Sequence, residues 1–180
     1  MLVLASLCVA LIAGFTGLSL THGLADKPEF VRKVSITLAA IALGGGIWSM
    51  HFVAMLGLQL PILFYYDAVI TLISALLAIL VVGAALLILH YRPRTPAMVS
   101  LAGAIVGVGI LAMHYTGMSG LELCRTVYSL PGLALATVSS VALSILAFRA
   151  AYGRREHRNI LIGTACFGIS VFAVHFIAIA

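Results

Sequence analysis

Met113-His114-Tyr115-Thr116-Gly117-Met118 closes a long apolar run, and the chain repeats the pattern on either side of it. The earlier copy reads Met50-His51-Phe52-Val53-Ala54-Met55, and the later copy Val174-His175-Phe176-Ile177-Ala178-Ile179. The histidines are spaced 63 and then 61 residues apart. Aligned on histidine, the copies share Gly44, Gly107 and Gly168 seven residues upstream, and Gly46, Gly109 and Ser170 five upstream. An aromatic residue follows each histidine, and a small one stands three residues after it. A glycine–histidine–aromatic–small register at nearly constant period marks an internal repeat.

Composition decides the solvent. The 180 residues are 63% hydrophobic and 8% charged, against about 25% charged in a soluble domain. Ten basic and five acidic side chains cannot cover a water-facing surface, so the lipid bilayer is the expected main solvent. Six apolar stretches are long enough to span, near Met1–Leu20, Val34–Leu56, Asp67–Leu89, Ala97–Met118, Leu130–Ala150 and Ile160–Ala180. The first lacks the basic start and cleavage site of a removable signal and reads as a span. The expected fold is an all-α membrane protein, one domain of three helical hairpins, with repeats of about 1–60, 61–123 and 124–180.

The net charge of +5 does not imply nucleic acid, because the basic residues crowd into alternate connections. Lys27, Arg32 and Lys33 flank the first, Arg92 and Arg94 the third, and Arg149, Arg154, Arg155 and Arg158 the fifth; Arg125 is the exception. The positive-inside bias puts those loops in the cytoplasm and both the N-terminus and residue 180 outside. Pro28, Pro61, Pro93, Pro96 and Pro131 fall in connections or at helix starts, where a missing backbone donor does no harm. Cys8 and Cys166 read as packing residues and Cys124 as a loop cysteine, with no paired spacing among them.

The histidines fall on the second, fourth and sixth spans. From the last basic residue of the preceding loop the counts are 18 (Lys33 to His51), 20 (Arg94 to His114) and 17 (Arg158 to His175). At about 1.5 Å per residue these agree within a turn. Parallel hairpin repeats are related by rotation about the membrane normal, so the rings should meet in one layer of the outer half. The repeated glycines permit close helix approach.

A lone intramembrane histidine ordinarily serves as a hydrogen-bond partner between helices. Three in register suit a metal, and imidazole nitrogen favours copper, zinc, nickel or iron. Met50, Met55, Met113 and Met118 either add thioethers, which tilts the choice to copper, or fill space. Asp67 and Glu122 are the acids on that side. Each either accepts a hydrogen bond from the distal nitrogen of a ligated ring or is a solvated carboxylate, Asp67 at a helix start. His22, His90 and His157 lie at the cytoplasmic ends of spans, as ordinary interfacial tips or an inner polar layer. Trp48, Tyr65 and Tyr66 read as outer aromatics.

Met113-His114-Tyr115-Thr116 resembles the signature of the MHYT domain family, bacterial integral-membrane sensor modules. The likeness covers nearly the whole chain, although the third copy lacks both methionines and the threonine–glycine pair. It implies copper held by His51, His114 and His175 with Met50, Met55, Met113 and Met118 as helpers. It also implies sensing of a diatomic gas (oxygen, carbon monoxide or nitric oxide) or of metal itself, in the bacterial inner membrane. A seventh helix and a cytoplasmic output domain or signalling partner are usual in the family. The residues leave other readings open: a zinc hydrolase built on a three-histidine site, a metal or proton transporter, and a haem held by two of the histidines. The transporter reading is weakened by an apolar stretch between outer and inner histidines.

Overall fold

The computed structural model describes residues 1–57, 65–122, 128–153 and 157–179. Its helices are α1 (Leu2–Leu20), α2 (Glu29–Met55), α3 (Ala68–Tyr91), α4 (Pro96–Ser119), α5 (Leu130–Gly153) and α6 (His157–Ile179). All six are long and apolar enough to cross a membrane, which makes the lipid bilayer their surroundings. Each helix packs on its neighbours in sequence, and α1 closes the ring against α6.

Local chemistry sets the helix starts. The Asp67 carboxylate accepts the backbone N–H of Ile70 at 2.8 Å, and the Thr95 hydroxyl accepts that of Met98 at 3.2 Å. Both are N-caps, and Pro96 follows Thr95 at the first helical position. The largest difference from the expected spans is at α2, which starts at Glu29 rather than Val34. A Glu29–Lys33 ion pair of 2.8 Å, one turn apart, extends it through a polar first turn that apolar counting discards. Pro28, Pro93, Pro96 and Pro131 sit in connections or first turns as expected. Pro61, Cys124, Arg125, Arg154, Arg155 and Ala180 lie outside the described residues.

The two helices of a hairpin are not equivalent. In α2, α4 and α6 half of the apolar window is buried (50%), against 28%, 33% and 22% in α1, α3 and α5. The second helix of each hairpin therefore lines the axis, where α2, α4 and α6 also touch one another. The first helix of each covers the outside. Cys8, on α1, is exposed at this outer surface rather than packed inside. Its apolar setting in the sequence reflects lipid, not a core.

Repeated glycines set the spacing, and their contacts rotate with the repeat. A Cβ on Gly44 would stand 2.5 Å from Ile79 Cα on α3, and one on Gly107 would stand 2.7 Å from Val141 Cα on α5. One on Gly168 meets Leu11 on α1. The glycine seven residues before each histidine thus seats the inner helix on the next hairpin. Two residues on, Gly46 faces Ala13 on α1 and Gly109 faces Val81 on α3, each the outer helix of its own hairpin. Ser170 follows the same rule by hydrogen bonding to α5: its hydroxyl is 3.1 Å from that of Ser144 and donates to the Ser140 carbonyl at 3.3 Å. The membrane interior is therefore not wholly apolar below the histidines. The buried Ser140, Ser144 and Ser170 form a polar patch, closed by a 2.8 Å bond from the Ser140 hydroxyl to the Gly107 carbonyl.

Candidate metal centre

Each histidine stands near the end of an inner helix, opposite the end that carries the basic connections. Equal depth and the rotating glycine contacts bring the rings to the axis. His51 Nδ1 lies 3.1 Å from His175 Nδ1 and 3.2 Å from His114 Nδ1. Ring centroids are 4.9 Å (His51–His114), 5.1 Å (His51–His175) and 5.6 Å (His114–His175) apart, with planes close to perpendicular. All three side chains are buried at 1% exposure.

Hydrogen bonding alone does not account for this cluster. A neutral imidazole carries one N–H and one lone pair. His51 Nδ1 faces two other Nδ1 atoms, and its single proton or lone pair makes one good bond among them. The distal nitrogens Nε2 of His51, His114 and His175 are buried without a hydrogen-bond partner, a costly state for a polar group. A cation that takes the three Nδ1 lone pairs resolves the crowding. At about 2.0–2.1 Å from each nitrogen, tetrahedral ligands are about 3.3–3.4 Å apart, a few tenths of an ångström wider than the 3.1 and 3.2 Å seen here. The three histidines can hold a metal ion.

The other candidates are placed as follows. Met50, Met55, Met113 and Met118 are all buried inside the bundle, a placement that suits a thioether near the rings and space-filling in the core alike. Val174 is buried at the position equivalent to Met50 and Met113; the side chain of Ile179 lies outside the described residues. Asp67 and Glu122 are not hydrogen-bonded to a histidine ring, since the distal nitrogens have no partner. Asp67 caps α3, and Glu122 is exposed in a short strand. The histidines at the basic end have polar or aromatic partners there. His90 Nε2 accepts from Arg32 Nε, while His22 stacks on His157 at 5.9 Å.

Two features of the site were not foreseen. Gly117, three residues after His114, makes room for the neighbouring ring: a Cβ there would stand 3.0 Å from His51 Nε2. The small residue repeated at this position was the available signal, and rotation of the repeat supplies its target. Above the rings, β1 (Tyr65–Tyr66) pairs antiparallel with β2 (Leu121–Glu122), and Asp67 N–H donates to the Gly120 carbonyl at 2.8 Å. This ladder joins the connection before α3 to the one after α4. Phe52 packs edge-on against Tyr66 of β1 at 5.2 Å, and Tyr115 against Tyr128, just before α5, at 4.9 Å. The aromatic after each of these histidines thus ties a connection to its inner helix, and the four rings make an aromatic cover at this end. In the third copy Phe176 packs on Phe172 of its own helix instead.

Sequence comparison agrees with this geometry. The MHYT family, described as "Bacterial signalling protein N terminal repeat", matches residues 44–103 and 107–164, each match opening at a repeated glycine. Over 99% of its length the chain is 34% identical to the bifunctional diguanylate cyclase/cyclic di-GMP phosphodiesterase MucR, and 35% identical to the cyclic di-GMP phosphodiesterase NbdA, both of Pseudomonas aeruginosa. The signaling protein YkoW of Bacillus subtilis is 22% identical over 97% of the chain. The chain spans about a quarter of the length of these relatives (27%, 24% and 23%). No solved structure matches. With two repeat matches that together cover more than half of its residues, the chain belongs to the MHYT family of bacterial signalling proteins.

Proposed function

We propose that this domain is the sensory part of a bacterial signalling system and that His51, His114 and His175 are the ligands of a resident metal. The observation that carries the reading is the convergence of three buried histidine rings whose distal nitrogens have no hydrogen-bond partner among the described residues. Copper is the preferred ion, because imidazole and thioether together favour it and Met50, Met55, Met113 and Met118 all lie inside the bundle. When bound, the ion supplies a coordination position for a diatomic gas, or reports its own availability. The protein's residues do the rest. The inner helices fix the ligands, the aromatic cover limits water, and the glycine-spaced contacts let a shift at the rings move neighbouring hairpins.

The distribution of Lys and Arg supports an inner-membrane orientation with the histidines in the outer half of the bilayer, and with the N-terminus and residue 180 outside. The names of MucR and NbdA support a cyclic di-GMP output on the cytoplasmic side, as an attached domain or a partner. The hydrolase reading needs a general base near the metal, and Asp67 is engaged as a helix cap instead. Rings this close leave no gap for a haem between two of them.

The test is elemental analysis of the protein purified from copper-replete cells. About one copper per chain is expected, lost in His114→Ala and His51→Ala while the helical signal persists. Folded protein without stoichiometric metal from such cells overturns the reading, and zinc in its place revises the ion.

A further inference from the structure

The end of the bundle opposite the histidines carries a feature that the repeat does not explain. A cavity of about 280 Å³ opens there between the start of α4 and the end of α5, lined by Arg94, Pro96, Val99, Arg149, Tyr152 and Gly153. Among its described lining residues none is acidic. Arg94 is held in place. Its guanidinium lies 5.8 Å from the centre of the Tyr152 ring, and its Nε donates to the Leu89 carbonyl at 3.4 Å. Tyr152 is itself fixed, its hydroxyl 2.8 Å from that of Thr21 on α1. Arg149 precedes Tyr152 and Gly153 by three and four residues, on the same helix face.

Repeat arithmetic separates Arg149 from the scaffold. Tyr91 and Tyr152 each stand 23 residues before a histidine, so the tyrosine belongs to the repeated pattern. Arg94 stands 20 residues before His114, at a position held by Val31 before His51 and by Arg155 before His175. Arg149 stands 26 residues before His175, where the preceding copy has Ile88 before His114. Arg149 is thus an addition at this hairpin interface, where it faces the same cavity as Arg94.

We infer that this cavity binds a phosphate-bearing anion, with the headgroup of an anionic phospholipid as the favoured source. Two guanidiniums suit phosphate oxygens, which they engage through paired N–H donors. The remaining wall, Pro96 and Val99, suits the apolar glycerol and upper acyl region beside a headgroup. Basic pockets between membrane helices are where such headgroups bind. This site is separate from the histidines, and its occupancy does not depend on a metal there.

Native mass spectrometry of the full chain in detergent tests it, with dioleoylphosphatidylglycerol titrated against dioleoylphosphatidylcholine. Preferential retention of phosphatidylglycerol is expected, weakened by about tenfold or more in Arg94→Gln/Arg149→Gln and about fivefold in Arg149→Gln alone. Arg92→Gln, in the same connection but outside the cavity, should leave the preference unchanged. Arg149 is exposed, so the single variant decides the question if the double variant, which also loses the Tyr152 contact, does not fold. Inorganic phosphate forms the second arm. A rise in melting temperature with phosphate, absent in Arg149→Gln and without any lipid preference, assigns the site to a soluble phosphate compound. Equal retention of both lipids with no response to phosphate, or variants that behave as the parent, overturns the inference.

Discussion

Gly44 and Gly107 lie against backbone of the next hairpin, 2.5 and 2.7 Å from atom to would-be Cβ, whereas Gly168 meets the end of one flexible side chain, Leu11 Cδ2, at 2.7 Å. The same division holds two residues further on. Gly46 and Gly109 pack on Ala13 and Val81, but Ser170 hydrogen-bonds to Ser144 and to the Ser140 carbonyl. The first two copies therefore position their histidines by steric contact, with backbone at Gly44 and Gly107 and with side chains at Gly46 and Gly109, and the third by a polar patch and an adjustable side chain. All three rings still reach one point. The depth and facing of the histidine are what the repeat preserves, and the means of holding it differ between copies.

The comparison breaks most visibly at the backbone contacts. Alanine at Gly44 or Gly107 should cost about 1–3 kcal/mol, because a Cβ there displaces a helix rather than a side chain. Thermal melting in detergent reads this as a clear fall for each variant. Unchanged melting would mean that the helices are not seated by these residues.

Gly117 sharpens the comparison at the site itself. Gly117→Ala puts a methyl 3.0 Å from His51 Nε2, and the ring must give way by a few tenths of an ångström, which disturbs its alignment with the other two. Metal retention should fall by about tenfold, measured by competition with a chelator, while melting of the metal-free protein changes little. Equal retention would place the bound ring elsewhere than in this structure.

Ser170→Ala removes a hydroxyl and keeps its Cβ. Interhelical hydrogen bonds in membranes are worth about 0.6 kcal/mol on average, so a small but measurable drop in melting is expected. The loss should be much reduced in a Ser144→Ala background if the two hydroxyls act as a pair. Additive losses would show that Ser170 relies on the Ser140 carbonyl alone.

Periodicity shows some parts of this architecture and hides others. The spans, their pairing and the common depth of His51, His114 and His175 are legible because the bilayer fixes helix length and each loop restarts the count. Facing follows from the glycine register. The start of α2 is hidden by its polar first turn, held by Glu29 and Lys33. The β1–β2 ladder is hidden because two-residue strands have no period, and their pairing joins residues more than fifty positions apart. The role of Asp67 was readable either way: an acid at a helix start and an acid near a histidine look alike until the ring orientations are known. Arg94 and Arg149 read as topology signals in the sequence, because charge bias records which side a loop faces but not that two side chains share a cavity.

The smallest effect belongs to Gly168→Ala. By sequence it is the same substitution as Gly44→Ala and Gly107→Ala, at the same distance from a histidine. By structure it differs: the nearest backbone atom is Leu11 N at 3.8 Å, an ordinary contact, and the obstacle is a leucine methyl. Rotation of Leu11 relieves the clash, and the added methyl shortens the list of unfolded-chain conformations that α6 must give up. The net cost should be well under that of the other two, about 0.5 kcal/mol or less. If all three alanine variants lose the same stability, the third copy is seated like the first two, and the distinction between backbone contact and polar patch fails.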